Sequence, residues 1–249
     1  NGDASLLYSA DAGMGCGTYA QYTYYLSSPL NAFVAFCDPS QVPYFFSFLF
    51  LVKIPLAAVT CLVFLRGRFV AAGAKGSCAT QVLAVVGAIA YSLTSYVTGY
   101  SSNIMWIDGV IMAPLACLGV YRLVRGRGCA TLFASCACAI LFNWYTGYMV
   151  CFFTIFYFFY EYARLRIDER ERCGLDSIAD KSTLGGAEGC GPKGAAGKKR
   201  KPSGHPLIHL GMRYAATMIL AVGASAVILF PTLIALLGGK GSGAGLASL

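Results

Sequence analysis

An uncharged apolar run extends from Ala130 to Tyr160. A single helix of that length would reach about 46 Å at 1.5 Å per residue, whereas the hydrocarbon core of a bilayer is about 30 Å thick. The stretch Asn143–Met149, with the sequence NWYTGYM, introduces polar residues near the middle of the run. The chain therefore either crosses a membrane once with an oversized helix or turns at this stretch.

Four other stretches are apolar and long enough to cross a bilayer. They are Tyr44–Leu65, Ala79–Val97, Ile104–Tyr121 and Met212–Leu237. The chain is 57% hydrophobic and 12% charged, which is typical of an integral membrane protein and not of a soluble domain. We therefore predict an all-α fold, a polytopic transmembrane helical bundle with a broken or re-entrant hairpin around residues 143–147.

The basic residues predict the orientation of this bundle. Most of them fall into three segments, residues 66–75, 122–127 and 164–213, whereas residues 1–44 contain three aspartates and no Lys or Arg. Because Lys and Arg are retained on the cytoplasmic side, we predict that the N-terminal segment lies outside a bacterial cell membrane and the basic segments inside.

This orientation bears on the oversized run. Arg127 and Arg164 would lie on the same side, so the chain between them crosses an even number of times or not at all. Two arms that meet near Asn143–Gly147 satisfy this condition, either as a re-entrant hairpin or as two short tilted helices. Asn143, Thr146 and Gly147 are the candidate helix breakers, at or near the outer face.

The chain divides into three predicted regions. Residues 1–160 hold the outer segment and the main group of transmembrane helices, residues 161–211 form a flexible basic cytoplasmic loop, and residues 212–237 form a further span. The basic cluster Lys198–Lys201 lies beside these spans, so we expect it to meet anionic lipid headgroups and not nucleic acid. Membrane lipids are thus predicted partners.

Three separate pieces of chain deliver polar and aromatic groups to the predicted outer face. We take these groups as the candidate site: Asp3 and Asp11 from the N-terminal segment, Asn103, Trp106 and Asp108 from the turn between the second and third spans, and Asn143, Tyr145 and Tyr148 from the hairpin tip.

Two charged residues have positions that demand an explanation. Asp108 begins a span, where it either faces a wet cavity or a cation, or acts as a helix N-terminal acid that interacts favourably with the helix dipole. Lys53 lies in the middle of the first span, about 13 Å of helix from its outer end, too far to reach water comfortably. It therefore needs an anionic partner, either a carboxylate such as Asp108 or the phosphate of a ligand.

Residues that commonly bind metals are poorly placed to do so. His205 and His209 are four residues apart, but Pro206 stands between them and no third ligand is near. The eleven cysteines show no C-x-x-C spacing, and many lie in apolar runs, where cysteine behaves as a small hydrophobic residue. We predict no metal site built from protein side chains.

Four motifs together resemble one family. In chain order they are LYSADAGMGCGTYAQYTYYLSSPLN, LVKIPLA, AYSLTSYVTGYSSNIMWIDGVIMAPL and LFNWYTGYMVCFFTIFYFFYE. They resemble the YfhO-type bacterial membrane proteins over roughly residues 1–160. The rest of the chain is similar only as a basic loop followed by a span. Compared with that family, we expect the chain to lack the first span and later parts.

The resemblance implies a fold and an activity. It implies a GT-C-like membrane glycosyltransferase that takes a sugar from a polyprenyl-phosphate carrier and attaches it to an extracytoplasmic cell-wall polymer such as lipoteichoic acid. The family's usual catalytic acid lies in the first outer loop. Asp3 or Asp11 could belong to this loop, but neither matches a motif that identifies the acid.

The implied reaction fits the candidate residues. An outer carboxylate (Asp3, Asp11 or Asp108) could act as general base, and Lys53 or a divalent metal ion could stabilise the leaving phosphate. Aromatic rings such as those of Trp106 and Tyr145 could stack on sugars. Two alternatives stay open: a transporter or flippase of a lipid-linked precursor, which a mid-span lysine and a broken hairpin also suit, and a non-catalytic membrane scaffold.

Overall fold

The computed structural model describes residues 27–70, 78–184 and 207–231, and Asp3 and Asp11 lie outside them. Within these ranges every regular element is helical, which confirms the predicted all-α fold. The α-helices are α1 (Pro29–Ala32), α2 (Val42–Leu65), α3 (Cys78–Ser92), α4 (Ser95–Gly99), α5 (Ile107–Val124), α6 (Ala130–Phe142), α7 (Trp144–Leu184) and α8 (Leu207–Ala224). A π-helical turn, Arg66–Val70, extends α2, and a 3-10 turn, Ile104–Trp106, precedes α5.

Four helical segments are long and apolar enough to cross a membrane. They are Val42–Phe69, Cys78–Gly99, Ile104–Val124 and Leu207–Ala224. Each overlaps a predicted span, so the multi-pass membrane architecture is confirmed at the level of length and composition. The last helix begins five residues before the predicted Met212, and the predicted end at Leu237 lies outside the described ranges.

Helix α5 forms the axis of the bundle. Its apolar window is 72% buried inside the protein, whereas the other three candidate spans are each 22% buried. The first half of α5 packs against α2 and α4 in one cluster of buried side chains. The second half of α5 packs against α6, α7 and α8 in another cluster. The outward faces of the surrounding helices are rich in exposed Phe, Leu, Ile and Val, as expected for surfaces in contact with lipid.

The oversized run folds as a helical hairpin that is broken at Asn143. This residue has an extended backbone (φ −157°, ψ 110°) between α6 and α7. Its side-chain Oδ1 accepts a hydrogen bond from the backbone N–H of Thr146 at 2.9 Å, which is the standard N-cap interaction of asparagine. The predicted break is therefore confirmed.

Gly147 has a different role from the predicted one. It lies inside the first turn of α7, so it does not break a helix. A Cβ atom there would lie 2.6 Å from Cα of Ile140 and 2.7 Å from the carbonyl oxygen of Ala139. The backbones of α6 and α7 approach so closely that only glycine fits, as is common where membrane helices pack. Gly119 of α5 meets the backbone of Leu132 in α6 in the same way, with a Cβ distance of 2.5 Å.

The predicted flexible loop, residues 161–211, is helical at both of its ends. Helix α7 continues through residues 161–184, and α8 begins at Leu207, while residues 185–206 lie outside the described ranges. In residues 161–172, Tyr162 and Leu165 continue the apolar stripe of Phe158 at helical spacing and pack against the core. Acidic and basic side chains also form pairs on this helix, such as Arg166 and Glu169, whose charged atoms are 3.2 Å apart. Such pairs add to the stability of an exposed helix.

The predicted cytoplasmic segments meet at one end of the bundle. The guanidinium groups of Arg68 and Arg125 lie 4.9 Å and 4.7 Å from the ring centre of Tyr121, near the end of α5. Arg125 also forms an ion pair with Asp168 at 3.4 Å. We call this the basic end, and the end at which α5 begins the aromatic end. Which end faces the cytoplasm stays a prediction.

Candidate functional site

Aromatic rings from two separated pieces of chain form one continuous cluster at the aromatic end. Consecutive ring centres lie 5.0 to 5.9 Å apart. In order of contact, the aromatic cluster consists of Tyr96, Tyr100, Trp106, Tyr145 and Tyr148. Three predicted substrate-binding residues thus come together, and Trp106 is the ring that joins the two pieces of chain.

Lys53 and Asp108 form a buried ion pair beside this cluster. The ammonium nitrogen of Lys53 lies 2.8 Å from Oδ2 of Asp108, and their side chains are 0% and 3% exposed. Lys53 also donates hydrogen bonds to Oδ1 of Asn31 and to the carbonyl oxygen of Ile104, both at 3.1 Å. A carboxylate is therefore the partner that Lys53 requires, and Asp108, which lies in the first turn of α5, meets a cation as well as the helix dipole.

A groove lies beside the turn that carries Trp106. Its volume is about 710 Å³. One wall is apolar and comes from α2 (Phe46, Phe50, Leu51), while Ser101, Ser102 and Asn103 supply polar groups from the turn. The predicted Asn103 thus lines the groove. Groove and cluster share one turn, residues 100–106.

The remaining candidates occupy different positions. Asn143 is fully buried, and the described role of its side-chain oxygen is to cap α7. Its neighbours Tyr145 and Tyr148 carry the hairpin's contribution to the aromatic cluster. Asp3 and Asp11 lie outside the described ranges. No group of three His, Cys, Asp or Glu residues that could hold a metal ion occurs in the part of the chain that the structure describes.

A second buried ion pair, at the basic end, was not anticipated from the sequence. Nε of Arg68 lies 2.7 Å from Oε1 of Glu161, and their side chains are 9% and 1% exposed. The hydroxyl group of Tyr157 donates to the same carboxylate oxygen at 2.8 Å. Glu161 immediately follows the long uncharged run, and that position is the signal that could have identified it, because a carboxylate at the end of a span requires a partner.

Comparison with known proteins agrees with the membrane fold. A family model described as "Bacterial membrane protein YfhO" matches residues 1–248. Neither the curated proteins nor the solved structures include a match to the chain. The family match covers nearly the whole sequence, including the basic segment and α8, which the motifs alone did not reach.

Proposed function

We propose that this chain, which belongs to the YfhO family of bacterial membrane proteins, is a membrane glycosyltransferase. In this proposal it moves a sugar from a polyprenyl-phosphate carrier to an extracytoplasmic cell-wall polymer such as lipoteichoic acid. The observation that carries the proposal is that the aromatic cluster and the amphipathic groove meet at one turn, residues 100–106.

This placement suits a ligand with a polar head and a long apolar tail. A polyprenyl chain could lie along the apolar wall that Phe46 and Phe50 provide, because both residues belong to the candidate membrane span Val42–Phe69. The polar side chains at residues 101–103 would then meet the phosphate. The ring of Trp106, in the same turn, and that of Tyr145 offer faces on which a sugar can stack.

The reaction requires one proton transfer and one displacement. The acceptor hydroxyl oxygen forms a bond to the anomeric carbon of the donor sugar, and the bond from that carbon to the phosphate oxygen breaks. A carboxylate takes the hydroxyl proton, and the polyprenyl phosphate leaves as the anion. Asp108 is poorly suited to be this base because its carboxylate is 3% exposed and bound to Lys53. We therefore assign the base to Asp3 or Asp11.

The test is sugar transfer by the purified protein, reconstituted with a radiolabelled polyprenyl-phosphate sugar and lipoteichoic acid. We expect Asp3→Asn or Asp11→Asn to abolish turnover without loss of folded protein, and Trp106→Ala to raise the KM for the donor. Tyr160→Phe is the matched aromatic control, because Tyr160 is exposed and belongs to neither the cluster nor the groove.

Two results would overturn the proposal. The first is wild-type transfer by both Asp3→Asn and Asp11→Asn. The second is movement of the intact carrier across vesicle membranes with no transfer of its sugar, which would identify a flippase.

A further inference from the structure

The Lys53 ammonium group joins α2 to two segments that are distant in sequence, one around Asn31 and one at residues 104–108. It contacts Asn31, which follows the N-terminal segment, and both Ile104 and Asp108, which flank Trp106 on its two sides. The three acceptor atoms lie 2.8 to 3.1 Å from the nitrogen, one for each of its three protons. The side chain is 0% exposed, so water cannot substitute for any of these bonds.

Besides Lys53, two backbone hydrogen bonds hold the turn before α5, from Asn103 to Tyr100 and from Trp106 to Asn103, both at 2.9 Å, and the side chains of Ile104 and Met105 are buried. Residues 100–103 form a turn without regular helix, followed by a single 3-10 turn, Ile104–Trp106. Trp106 itself is only partly buried, and its described ring contacts are with Tyr100 and Tyr145, which are partly exposed as well. Anchors at residues 104 and 108 fix the backbone on both sides of this ring.

We propose that Lys53 is a positioning residue that holds Trp106 in the aromatic cluster. Lys53 acts through the carbonyl group of Ile104 and the carboxylate of Asp108, and it binds no substrate itself. It also fastens the segment around Asn31 to the same point. The functional part of this inference rests on the proposed glycosyl transfer, whereas the placement of Trp106 does not.

Tryptophan fluorescence tests the placement directly, because the chain contains two tryptophans, Trp106 and Trp144. In a Trp144→Phe background, the emission of Trp106 is observed alone. We expect Lys53→Met in this background to shift the emission to longer wavelength and to increase quenching by acrylamide, because Trp106 leaves the cluster.

Three further variants separate positioning from stability. Lys53→Met with Asp108→Asn removes the unpaired carboxylate and restores folded protein, yet the emission should stay shifted because Ile104 still has no donor. Asp108→Asn alone leaves the Lys53 ammonium group without an anion and should lower the unfolding midpoint, but it keeps an oxygen acceptor for Lys53, so the emission of the folded protein should match the background. Arg68→Met is the matched control, because it also removes a buried cation from a carboxylate, but at the basic end, and it should leave the emission unchanged.

Activity supplies a second readout. If the cluster binds the donor sugar, the Lys53→Met/Asp108→Asn variant should raise the KM for the donor more than it lowers kcat. Background-like emission in that double variant would refute the positioning role, and so would an equal shift in Arg68→Met. A shifted emission in a protein that transfers no sugar would leave the positioning role intact and reject the proposed function, so the two failures are distinguishable.

Discussion

The two buried ion pairs lie near opposite ends of α5 and are built differently. Lys53 donates to three acceptors in two segments: Asn31 in the short helix α1, and Ile104 and Asp108 where a 3-10 turn leads into α5. Arg68 contacts one carboxylate, which Tyr157 also binds, and its guanidinium group stacks on Tyr121. The first pair shapes loops around a site, whereas the second fastens α2 to α7. Both bury charge, but only the first organises the surface that we assign to the substrate.

Lys53→Met should have the largest effect on stability. It leaves the Asp108 carboxylate buried without a cation, and the loss of one partner from a buried ion pair costs about 3–5 kcal/mol. We expect a large fall in the midpoint of thermal unfolding in detergent and little folded protein in membranes. Recovery of the midpoint in Lys53→Met/Asp108→Asn is the control. An unchanged midpoint in the single variant would contradict the described pairing.

Arg68→Met should cost less, about 3 kcal/mol, the lower end of the range for a broken buried pair. Glu161 keeps the hydrogen bond from Tyr157, so its charge is not left without a donor. The measurement is again thermal unfolding in detergent. Adding Tyr157→Phe removes that donor and should bring the loss up to that of Lys53→Met. If Arg68→Met alone equals Lys53→Met, the difference that we draw between the two pairs is wrong.

Two glycine substitutions should sharpen the comparison by separating packing from charge. Gly147→Ala and Gly119→Ala each place a Cβ atom against the backbone of α6, at 2.6 Å and 2.5 Å. Overpacking of this kind costs about 1–3 kcal/mol, and we expect nearly equal losses at the two positions. Equal losses of stability, measured by thermal unfolding, would mean that helix packing is equally tight at the two positions, so that the difference in stability between the two ends of α5 comes from the ion pairs. A much larger loss of stability for Gly147→Ala would mean that the packing of the α6–α7 hairpin causes this difference.

Asp168→Asn should have the smallest effect. Asp168 pairs with Arg125 at 3.4 Å, and both side chains are partly exposed. Pairs of this kind contribute about 0.2–1 kcal/mol. We expect a small fall in the unfolding midpoint that disappears in high salt, because exposed charges are screened. If the fall in the unfolding midpoint persists at high salt, the Arg125–Asp168 pair contributes to stability in the same way as the two buried ion pairs.

The features that could be predicted from the sequence are those determined by hydrophobicity and by the free-energy cost of burying a charge. Long apolar runs located the candidate spans, and the burial of Lys53 within one of them required an anion, which the structure identifies as Asp108. Asn143 was recognised as a break because an overlong run needs one. Convergence of Trp106 and Tyr145 followed from placing their segments at one membrane face.

Other features depend on packing that no local pattern encodes. Arg68 was interpreted only as a basic residue that sets orientation, because nothing nearby in sequence indicates that it turns inward to Glu161. The helical continuation of α7 beyond residue 161 was not predicted, because the many charged residues there obscure the short apolar stripe that Tyr162 and Leu165 form. Gly147 was interpreted as a breaker, since close approach of two backbones is visible only once both helices are placed.

The one-residue connection at Asn143 makes the chain intolerant of changes in length at that point. Each residue added to a helix turns its faces by about 100°. An insertion between residues 143 and 147 would rotate Gly147 away from Ile140 and carry Tyr145 and Tyr148 out of the aromatic cluster together. The packing of α6 against α7 and the geometry of the aromatic cluster therefore both depend on the length of this connection. Fusion tags or epitope insertions should be placed elsewhere in the protein.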